Sequence, residues 1–392
     1  MIKALLRAAI RGGDPADPEV RRRCGALSGG VGIFLNLLLA VGKLAAGFIT
    51  SSVAIIADGI NNLSDAATSV VTLIGFRIAG QEADADHPFG HGRFEYIAGL
   101  VVSLAILLMG LEVGRSALSA LFHQEEVLFS PVAMVILCVA IAVKLWLFLF
   151  NRVLGRAIDS AAMEAAAADS LSDTLSTGVV LLSALAGQFL HIHVDGLAGL
   201  LVAAFILKTG WESVRDTLDP LLGRPMDPDL ARDIDEIAVS HENILGIHDL
   251  IYHDYGPGRA MMSFHAEVPA EGDILVLHDM IDHVEQELKE RHHIDTVIHM
   301  DPVVRDERTE TTRKRVAELA REIDPSITIH DFRMVPGLTH TNLIFDLVLP
   351  YSSTLTENEA GNTMTQKLQN LDPCYCPVIQ VERSFVDDRT ER

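Results

Sequence analysis

Between Ser52 and Ala67 the chain reads S-V-A-I-I-A-D-G-I-N-N-L-S-D-A-A, an apolar segment of the kind that crosses a bilayer. It nevertheless carries two carboxylates and two adjacent amides. A carboxylate near the centre of a bilayer costs at least a few kcal/mol, so residues of this kind are expected to have a function. Asn61 and Asp65 are four residues apart and therefore lie one above the other on one face of a helix.

A second apolar segment repeats this arrangement with Asp169 and Asp173, again four residues apart. Two facing helices that each offer two oxygen ligands could hold one divalent cation inside the membrane. The predicted metal site consists of Asn61, Asp65, Asp169 and Asp173. Oxygen ligands suit harder ions such as Mn²⁺, whereas imidazole suits Zn²⁺. We therefore expect Mn²⁺ first and Fe²⁺ next, with Zn²⁺, Co²⁺ and Cd²⁺ as alternatives. The competing interpretation is that these polar residues only pair the helices.

Three further charged residues lie in the apolar segments. Asp58 precedes Asp65 by nearly two turns and is expected to support the site rather than to bind the metal. Lys43 and Lys144 have long cationic side chains, which near helix ends usually extend to the membrane surface, and neither is assigned a role in the site. Clustered carboxylates repel one another, so they are expected to take up protons when the metal leaves and to release them when it binds. That exchange predicts metal–proton antiport.

The composition divides the chain into an apolar half and an acidic half. Its 392 residues are 49% hydrophobic with a mean hydropathy of +0.28, yet the formal net charge is −22. A single soluble domain would not be expected to combine such high hydropathy with so large a negative charge. A membrane domain joined to an acidic soluble region accounts for both values. The acidic balance argues against a nucleic-acid partner and is compatible with cations.

Six apolar stretches are long enough to span a bilayer. They lie near 26–49, 53–78, 94–116, 130–153, 164–187 and 194–214. Lys and Arg occur in the N-terminal segment and in alternate connections, which predicts that both termini are cytoplasmic. We therefore expect an integral protein of the lipid bilayer with an all-α six-helix membrane domain, located in the cell membrane of a prokaryote.

From about residue 226 the order helix-strand-strand-helix-strand predicts a small cytoplasmic α+β domain of ferredoxin-like type. Ile247-His-Asp-Leu250 recurs as Ile329-His-Asp-Phe332, so a second, degenerate copy is expected after it. The predicted domains are an N-terminal segment at 1–24, a transmembrane domain at 25–216, a ferredoxin-like domain at 217–305, and its copy with a tail at 306–392.

Two groups of motifs resemble the cation diffusion facilitator family. They are Asn36-x6-Lys43-x3-Gly47-x3-Ser51 followed by Ala57-Asp-x2-Asn61-x3-Asp65, and Asp84-x2-His87-Pro-Phe-Gly-His91-Gly-Arg93-x-Glu95. With the Asp169/Asp173 pair and the first α+β domain, the resemblance covers about residues 15–305 and leaves the copy unexplained. It implies a homodimer of six-helix subunits that exports divalent metals in exchange for protons, with its transport site at the four membrane positions. Many zinc-transporting members have His or Asp where Asn61 stands and His where Asp169 stands, so this set looks like the manganese branch.

A second candidate metal site lies in the loop after the second predicted span. Asp84, His87 and His91 have suitable spacing if the loop is helical, but Pro88 prevents a regular helix there. The resemblance points to a loop site that occurs in some members of the family. The alternative is a loop that is organised by its own hydrogen bonds.

The resemblance also implies a metal site in the first α+β domain that tightens the dimer. Its ligands would be His248, His265, His278, His299 and Asp301. The equivalent residues of the copy are His330, Asp346, Glu359, Gln380 and Glu382. Since the second set is mostly carboxylate and amide, we expect the copy to have lost its metal; the alternative is a preference for a harder ion.

These features favour a secondary transporter that exports divalent metal ions. The alternative is a membrane-anchored metal sensor whose soluble domains act while the membrane half only tethers them, although a tether needs no charge within the bilayer. The sequence has no Walker loop, no phosphorylated-aspartate motif and no nucleophile with a base. We therefore expect neither an enzyme nor an ATP-driven pump, and no organic cofactor.

Overall fold

The computed structural model describes residues 2–10, 13–50, 53–122, 131–190, 195–303, 306–337, 339–350 and 353–383. The helices are α1 (Ile2–Ile10), α2 (Pro18–Thr50), α3 (Val53–Ala79), α4 (Phe94–Phe122), α5 (Pro131–Ala157), α6 (Ala161–Leu190), α7 (Asp195–Leu222), α8 (Pro228–Ser240), α9 (Ile274–His292), α10 (Glu307–Ile323) and α11 (Glu357–Leu371). The strands are β1 (Gly246–Asp254), β2 (Ala260–Pro269), β3 (Ile294–Val303), β4 (Thr328–Pro336), β5 (Thr341–Leu349) and β6 (Tyr375–Arg383).

The chain divides into two compact units. The first contains the described residues up to Arg224 together with Asp254–Arg259, and the second contains the other described residues from Pro225 onward. The ends of the predicted spans at 130 and 194 and the tail at 384–392 lie outside the described residues.

The six predicted spans coincide with the long helices α2 to α7. In the described part of the chain, the helical segments that are long and apolar enough to cross a membrane are Pro18–Ala46, Phe94–Phe122, Met134–Ala157 and Gly196–Leu222. The described parts of α3 and α6 are not among them, although these helices contain 27 and 30 residues. These two helices carry the predicted membrane ligands.

In the first unit, α3 and α6 are packed among the other long helices. Helix α3 packs against α2 and α4, α6 packs against α4, α5 and α7, and a smaller contact joins α3 to α6. Small residues allow the close crossings: a Cβ atom at Gly75 of α3 would lie 2.3 Å from the Cβ atom of Ala98, and one at Gly99 of α4 would lie 2.9 Å from the Cα atom of Ala162.

A buried ion pair joins the beginning of α2 to the beginning of α4. Arg21 donates from Nη2 to Glu95 Oε1 at 2.6 Å and from Nε to Glu95 Oε2 at 3.1 Å, and the two side chains are only 7% and 2% exposed. The Ser160 hydroxyl donates to Glu95 Oε1 at 2.6 Å, and Arg21 also donates to the carbonyl oxygen of Ile158. These additional hydrogen bonds offset the desolvation of the two charges.

The second unit contains two α+β modules with the same order of elements. The first module comprises α8, β1, β2, α9 and β3, and the second comprises α10, β4, β5, α11 and β6. Each contains a three-stranded sheet in sequence order, in which the last two strands, β2–β3 or β5–β6, are parallel. Every second residue of β5 is buried, the pattern of a sheet with one face on a core. The ferredoxin-like assignment stays a prediction.

Each module has its own apolar core. Phe264 of β2, with Val284 and Leu288 of α9, lies at the centre of the first core, and Phe345 of β5 with Leu368 of α11 lies at the centre of the second. These side chains are fully buried. Burial of a large apolar side chain contributes about 1.5–3 kcal/mol, so each sheet is held to its helices mainly by such contacts.

The two modules share an unusual backbone conformation at equivalent positions. Asp249, which follows His248 in β1, has φ 53°, and Asp331, which follows His330 in β4, has φ 51°. The pairing of β4 with β5 also shifts register between His330 and Arg333. Left-handed residues and bulges redirect side chains at the edge of a sheet. The backbone of the His-Asp sequence is therefore alike in the two modules.

We expect Glu95→Ala to lower the free energy of unfolding by about 3–5 kcal/mol, because it leaves the Arg21 guanidinium buried without its carboxylate. Glu112→Ala in the same helix is the matched control, since Glu112 and Arg115 form an exposed pair and such pairs contribute about 0–1 kcal/mol. Thermal unfolding of the detergent-solubilised protein measures both variants. Equal losses would contradict a structural role for the buried pair.

Candidate metal centres

Three buried carboxylates meet between α3 and α6. Asp65 is 6% exposed, Asp169 is 8% exposed and Asp173 is 5% exposed. One carboxylate oxygen from each lies within 4.8 Å of the other two. Asp169 and Asp173 are one turn apart on α6 and so present their oxygens from the same face. Three oxygen ligands at these separations could bind a divalent cation.

A lysine that the sequence did not assign to the site lies among these carboxylates. Lys144 Nζ on α5 lies 2.7 Å from Asp65 Oδ2 and 2.5 Å from Asp173 Oδ2, and its side chain is 4% exposed. The prediction that this side chain extends to the membrane surface is therefore wrong. Two carboxylates within hydrogen-bond distance stabilise the ammonium more than a partly hydrated surface position would.

The other intramembrane lysine is also ion-paired. Lys43 Nζ lies 2.8 Å from Asp58 Oδ2, and the lysine side chain is 3% exposed. The surface position predicted for Lys43 is wrong for the same reason. Asp58 contacts this lysine on α2, so its role here is to compensate a buried charge.

Of the two adjacent amides on α3, the structure places Asn62 at the cluster. Asn62 is buried and its Nδ2 donates to Asp65 Oδ2 at 3.1 Å, whereas Asn61 is exposed. Residues three apart and four apart both share a helix face, so spacing alone could not choose between the two amides. Within the described chain Asn62 Oδ1 has no hydrogen-bond partner, which leaves that oxygen available to a ligand.

A small polar cavity lies beside Asp169. Its volume is about 20 Å³, and its lining includes Asn36, Thr68, Asn151 and Ser170 from four helices. A space of about 10–15 Å³ is sufficient for one water molecule. Asn36 Oδ1 is buried there without a hydrogen-bond partner among the described residues. The cavity therefore places polar side chains of α2, α3, α5 and α6 beside the cluster.

The loop candidate is organised by hydrogen bonds and also brings its three ligands together. Asp84 lies 3.5 Å from both His87 Nδ1 and His91 Nε2, and the two imidazole rings are 4.5 Å apart. Asp84 also accepts the backbone N–H groups of His87 and Asp86 at 2.7 and 3.0 Å, which lowers the pKa of its carboxyl group. The segment is not helical, as Pro88 predicts.

In the first α+β module, four of the five predicted ligands lie together. Asp301 Oδ2 is 2.9 Å from His265 Nδ1 and 3.3 Å from His248 Nε2, and Asp301 Oδ1 is 3.4 Å from His299 Nε2. His278 is not brought to this set within the chain, because its exposed ring on α9 pairs with Asp282 at 3.4 Å.

The equivalent residues of the second module are only partly clustered. His330 Nε2 lies 3.1 Å from Glu382 Oε1, and His330 Nδ1 lies 3.7 Å from Asp346 Oδ2. Glu359 is used elsewhere, since it forms a capping box with Thr356 at the start of α11. Gln380 is the strand neighbour of Asp346 in the β5–β6 pairing.

Two carboxylates from different modules also meet at His330. Asp249 of the first module lies 3.4 Å from His330 Nε2 and contacts Glu382 of the second. Burial, and then the contact with Asp249, raise the pKa of Glu382 to about 7. The His248 imidazole, whose Nδ1 lies 3.4 Å from Asp249 Oδ2, holds the pKa of Asp249 well below its usual range. No sequence spacing marked Asp249 as a member of this cluster.

Known proteins match most of the chain. The profile described as the cation efflux transmembrane domain matches residues 31–222, and the profile of the cation efflux protein cytoplasmic domain matches residues 226–303. An uncharacterized transporter of Methanocaldococcus jannaschii is 30% identical over 269 residues, which cover 68% of this chain and 95% of the relative. The manganese efflux system protein MneS of Bacillus subtilis is 31% identical over 276 residues, with coverage of 70% and 94%. The cation-efflux pump FieF of Klebsiella pneumoniae is 29% identical over 261 residues, with coverage of 66% and 87%.

We expect Glu382→Gln to reduce the pH dependence of stability in the metal-free protein. The pKa of Glu382 in the folded chain, about 7, exceeds its ordinary value of 4.5, so the folded state holds more protons than the unfolded state between these values. The wild type therefore loses stability as pH rises through this window, and the neutral amide removes that loss.

Thermal unfolding in the presence of a chelator, repeated across this pH window, measures the effect. Glu318→Gln, in an exposed pair with Arg315, is the matched control and should behave like the wild type. An unchanged pH dependence in Glu382→Gln would contradict the close approach of Glu382 to Asp249.

Proposed function

This chain belongs to the cation diffusion facilitator family of cation efflux proteins, and from that premise we propose that it exports divalent metal ions through the cluster of Asp65, Asp169 and Asp173. As a member of that family it is an integral membrane transporter and not an enzyme. The observation that carries the proposed site is the placement of three buried carboxylates on two facing helices, with a lysine ammonium between two of them.

The charge of the cluster suits a divalent ion. Three ionised carboxylates beside one ammonium carry two uncompensated negative charges, and an uncompensated buried charge costs several kcal/mol. One divalent cation or two protons would neutralise the cluster. Alternate occupancy by metal and by protons would therefore keep it close to neutral in both states, which is the physical basis for proton antiport.

Lys144 would act as a resident cation between transport cycles. Its ammonium contacts Oδ2 of Asp65 and Oδ2 of Asp173, two of the oxygens that a metal ion would use. An arriving metal ion would compete with the ammonium for these oxygens, and the ammonium would return as the metal leaves. The lysine would hold the carboxylates in position and limit how tightly the metal is retained.

The donor set favours hard metal ions. The carboxylates and the free Oδ1 atom of Asn62 all offer oxygen, which suits Mn²⁺ better than an imidazole-containing set would. The similarity to a protein named as a manganese efflux system supports the same order of preference. We propose Mn²⁺ first and Fe²⁺ next, with Zn²⁺, Co²⁺ and Cd²⁺ as further substrates. Asn61, the amide expected from the motif, remains a proposed ligand in a state other than the one described.

The proposed topology has six spans, α2 to α7, and both termini lie in the cytoplasm. The protein would act as a homodimer, which the similarity of residues 226–303 to the cation efflux cytoplasmic domain supports. The proposed location is the cell membrane of a prokaryote. The sensor alternative is less favourable, because a membrane tether would not require three carboxylates in its interior.

Asp65→Ala is expected to reduce metal export to background. Cells that lack their own Mn²⁺ exporter should tolerate raised Mn²⁺ when they express the wild type and not when they express the variant. In proteoliposomes, an imposed proton gradient should drive Mn²⁺ across the membrane with the wild type only. Glu112→Ala, at an exposed position of α4, is the control for expression and handling and should transport normally. Tolerance restored by Asp65→Ala at equal expression would refute the proposed site.

A further inference from the structure

The two α+β modules approach each other through equivalent residues. His248 of β1 and His330 of β4 occupy the same place in their modules, and their imidazole rings stack with centroids 4.5 Å apart and planes inclined by 18°. Each is followed by an aspartate with a left-handed backbone, Asp249 or Asp331. Each also lies within 3.3 Å of the carboxylate at the equivalent position of the last strand, Asp301 or Glu382. Equivalent histidines of the two modules therefore meet at this contact.

Potential ligand atoms of both modules converge at this contact. His330 Nε2 lies 3.1 Å from Glu382 Oε1 and 3.4 Å from Asp249 Oδ1, and Asp249 Oδ2 lies 3.4 Å from His248 Nδ1. One ligand atom from each of His248, Asp249 and His330 lies within 4.8 Å of the other two. With Glu382, these residues lie on three strands, β1, β4 and β6, so the cluster depends on tertiary contact between the modules.

The burial of the two rings argues that the cluster is built to receive a ligand. The His248 side chain is 5% exposed and the His330 side chain is 13% exposed. Among the described residues, both ring nitrogens of His248 and the Nδ1 atom of His330 lack a hydrogen-bond partner. Buried polar atoms are normally hydrogen-bonded, and each of these three nitrogens faces a carboxylate at 3.3–3.7 Å without such a bond, an arrangement that is suited to a cation.

We propose that Asp249, His330 and Glu382, with His248 as a fourth ligand, form a divalent-metal site that joins the two α+β modules of one chain. Two carboxylates neutralise a divalent ion, and a set of two imidazoles and two carboxylates suits Zn²⁺, Co²⁺, Fe²⁺ or Mn²⁺. This site is additional to the set of His265, His299 and Asp301 on the first module. It also replaces the expectation that the second module has lost its metal.

His248 links the two sets of ligands. Its Nε2 atom faces Asp301 at 3.3 Å and its Nδ1 atom faces Asp249 at 3.4 Å. A neutral imidazole has one nitrogen lone pair, so His248 serves one set at a time. Asp249, His330 and Glu382 remain as a three-ligand core when His248 serves the other set. Binding at the two sites is therefore coupled through one side chain.

An open cavity gives a metal ion access to the site. It has a volume of about 250 Å³ and is lined by residues of both modules, including Asp235, Leu250, Thr328 and Val348 together with the ligands. The ion can therefore enter after the modules have met. Occupancy would then stabilise the association of the second module with the first, and that association would depend on the metal concentration in the surrounding solution.

Counting bound metal tests the proposal without any transport measurement, so its failure is distinguishable from failure of the proposed efflux. The full chain in detergent is stripped with a chelator, loaded with Co²⁺ and passed through gel filtration, and the Co²⁺ retained per chain is measured. His330→Ala and the nearly isosteric Glu382→Gln should each lose one Co²⁺ per chain relative to the wild type. His340→Ala, an exposed histidine of the second module, is the control and should lose none.

A double variant separates the two sites. His265→Ala removes a ligand of the first-module set only, so His265→Ala combined with His330→Ala should lose one more Co²⁺ than His265→Ala alone. The proposal is overturned if His330→Ala retains the wild-type amount, or if the double variant loses no more than His265→Ala alone. Gel-filtration profiles that match the wild type show that the variants are folded.

Discussion

The ammonium of Lys144 lies between Asp65 and Asp173, and the arrangement of the membrane unit depends on that contact. Three carboxylates from α3 and α6 could not remain buried and close together without a compensating cation, because the cost of several kcal/mol per unpaired ion would separate the helices or neutralise the acids. A lysine on α5 provides that cation in the metal-free cluster. The carboxylates then still carry negative charge that the ammonium does not compensate, and this charge favours binding of a second, exchangeable cation. A transport site requires such an exchangeable cation.

The need to compensate or cover buried polar groups also accounts for the composition of the membrane helices. Helices α3 and α6 carry acids, amides and hydroxyls, whereas the described parts of α2, α4, α5 and α7 contain apolar segments long enough to cross a membrane. Glycines and alanines at the crossings bring α3 to α4 and α4 to α6, so the polar faces can be covered by protein. The buried pair of Arg21 with Glu95 follows the same rule, with every charge paired and further hydrogen-bonded.

Local spacing predicted part of the membrane site but not its lysine. Asp169 and Asp173 are one turn apart on a helix, so a shared face followed directly from the sequence. Lys144 is 79 residues from Asp65 and 29 from Asp173, and whether such a side chain turns inward or toward the surface is decided by helix packing, which has no local signature. The adjacent amides show the limit of helix periodicity, since Asn61 and Asn62 both satisfy it and only the rotation of α3 distinguishes them.

In the second unit, too, the sequence predicted some features of the candidate sites and not others. The order of its strands and helices, and the equivalence of His248 with His330, follow from recurring motifs. The contribution of Asp249 does not, because it arises where one module meets the other and where a left-handed backbone redirects the side chain. Comparison of equivalent positions within one module therefore predicted that the copy has lost its metal, whereas the site that we propose takes ligands from both modules.

Competition between Lys144 and the metal ion is the central claim, and the affinity of Lys144→Gln for Mn²⁺ tests it most directly. Calorimetric titration of the detergent-solubilised chain would compare this variant with the wild type and with Lys208→Gln, an exposed lysine in the same membrane unit. Removal of the resident cation should tighten Mn²⁺ binding on the order of tenfold, which corresponds to about 1.4 kcal/mol, while Lys208→Gln leaves it unchanged. Unchanged or weaker binding by a folded Lys144→Gln variant would contradict the account.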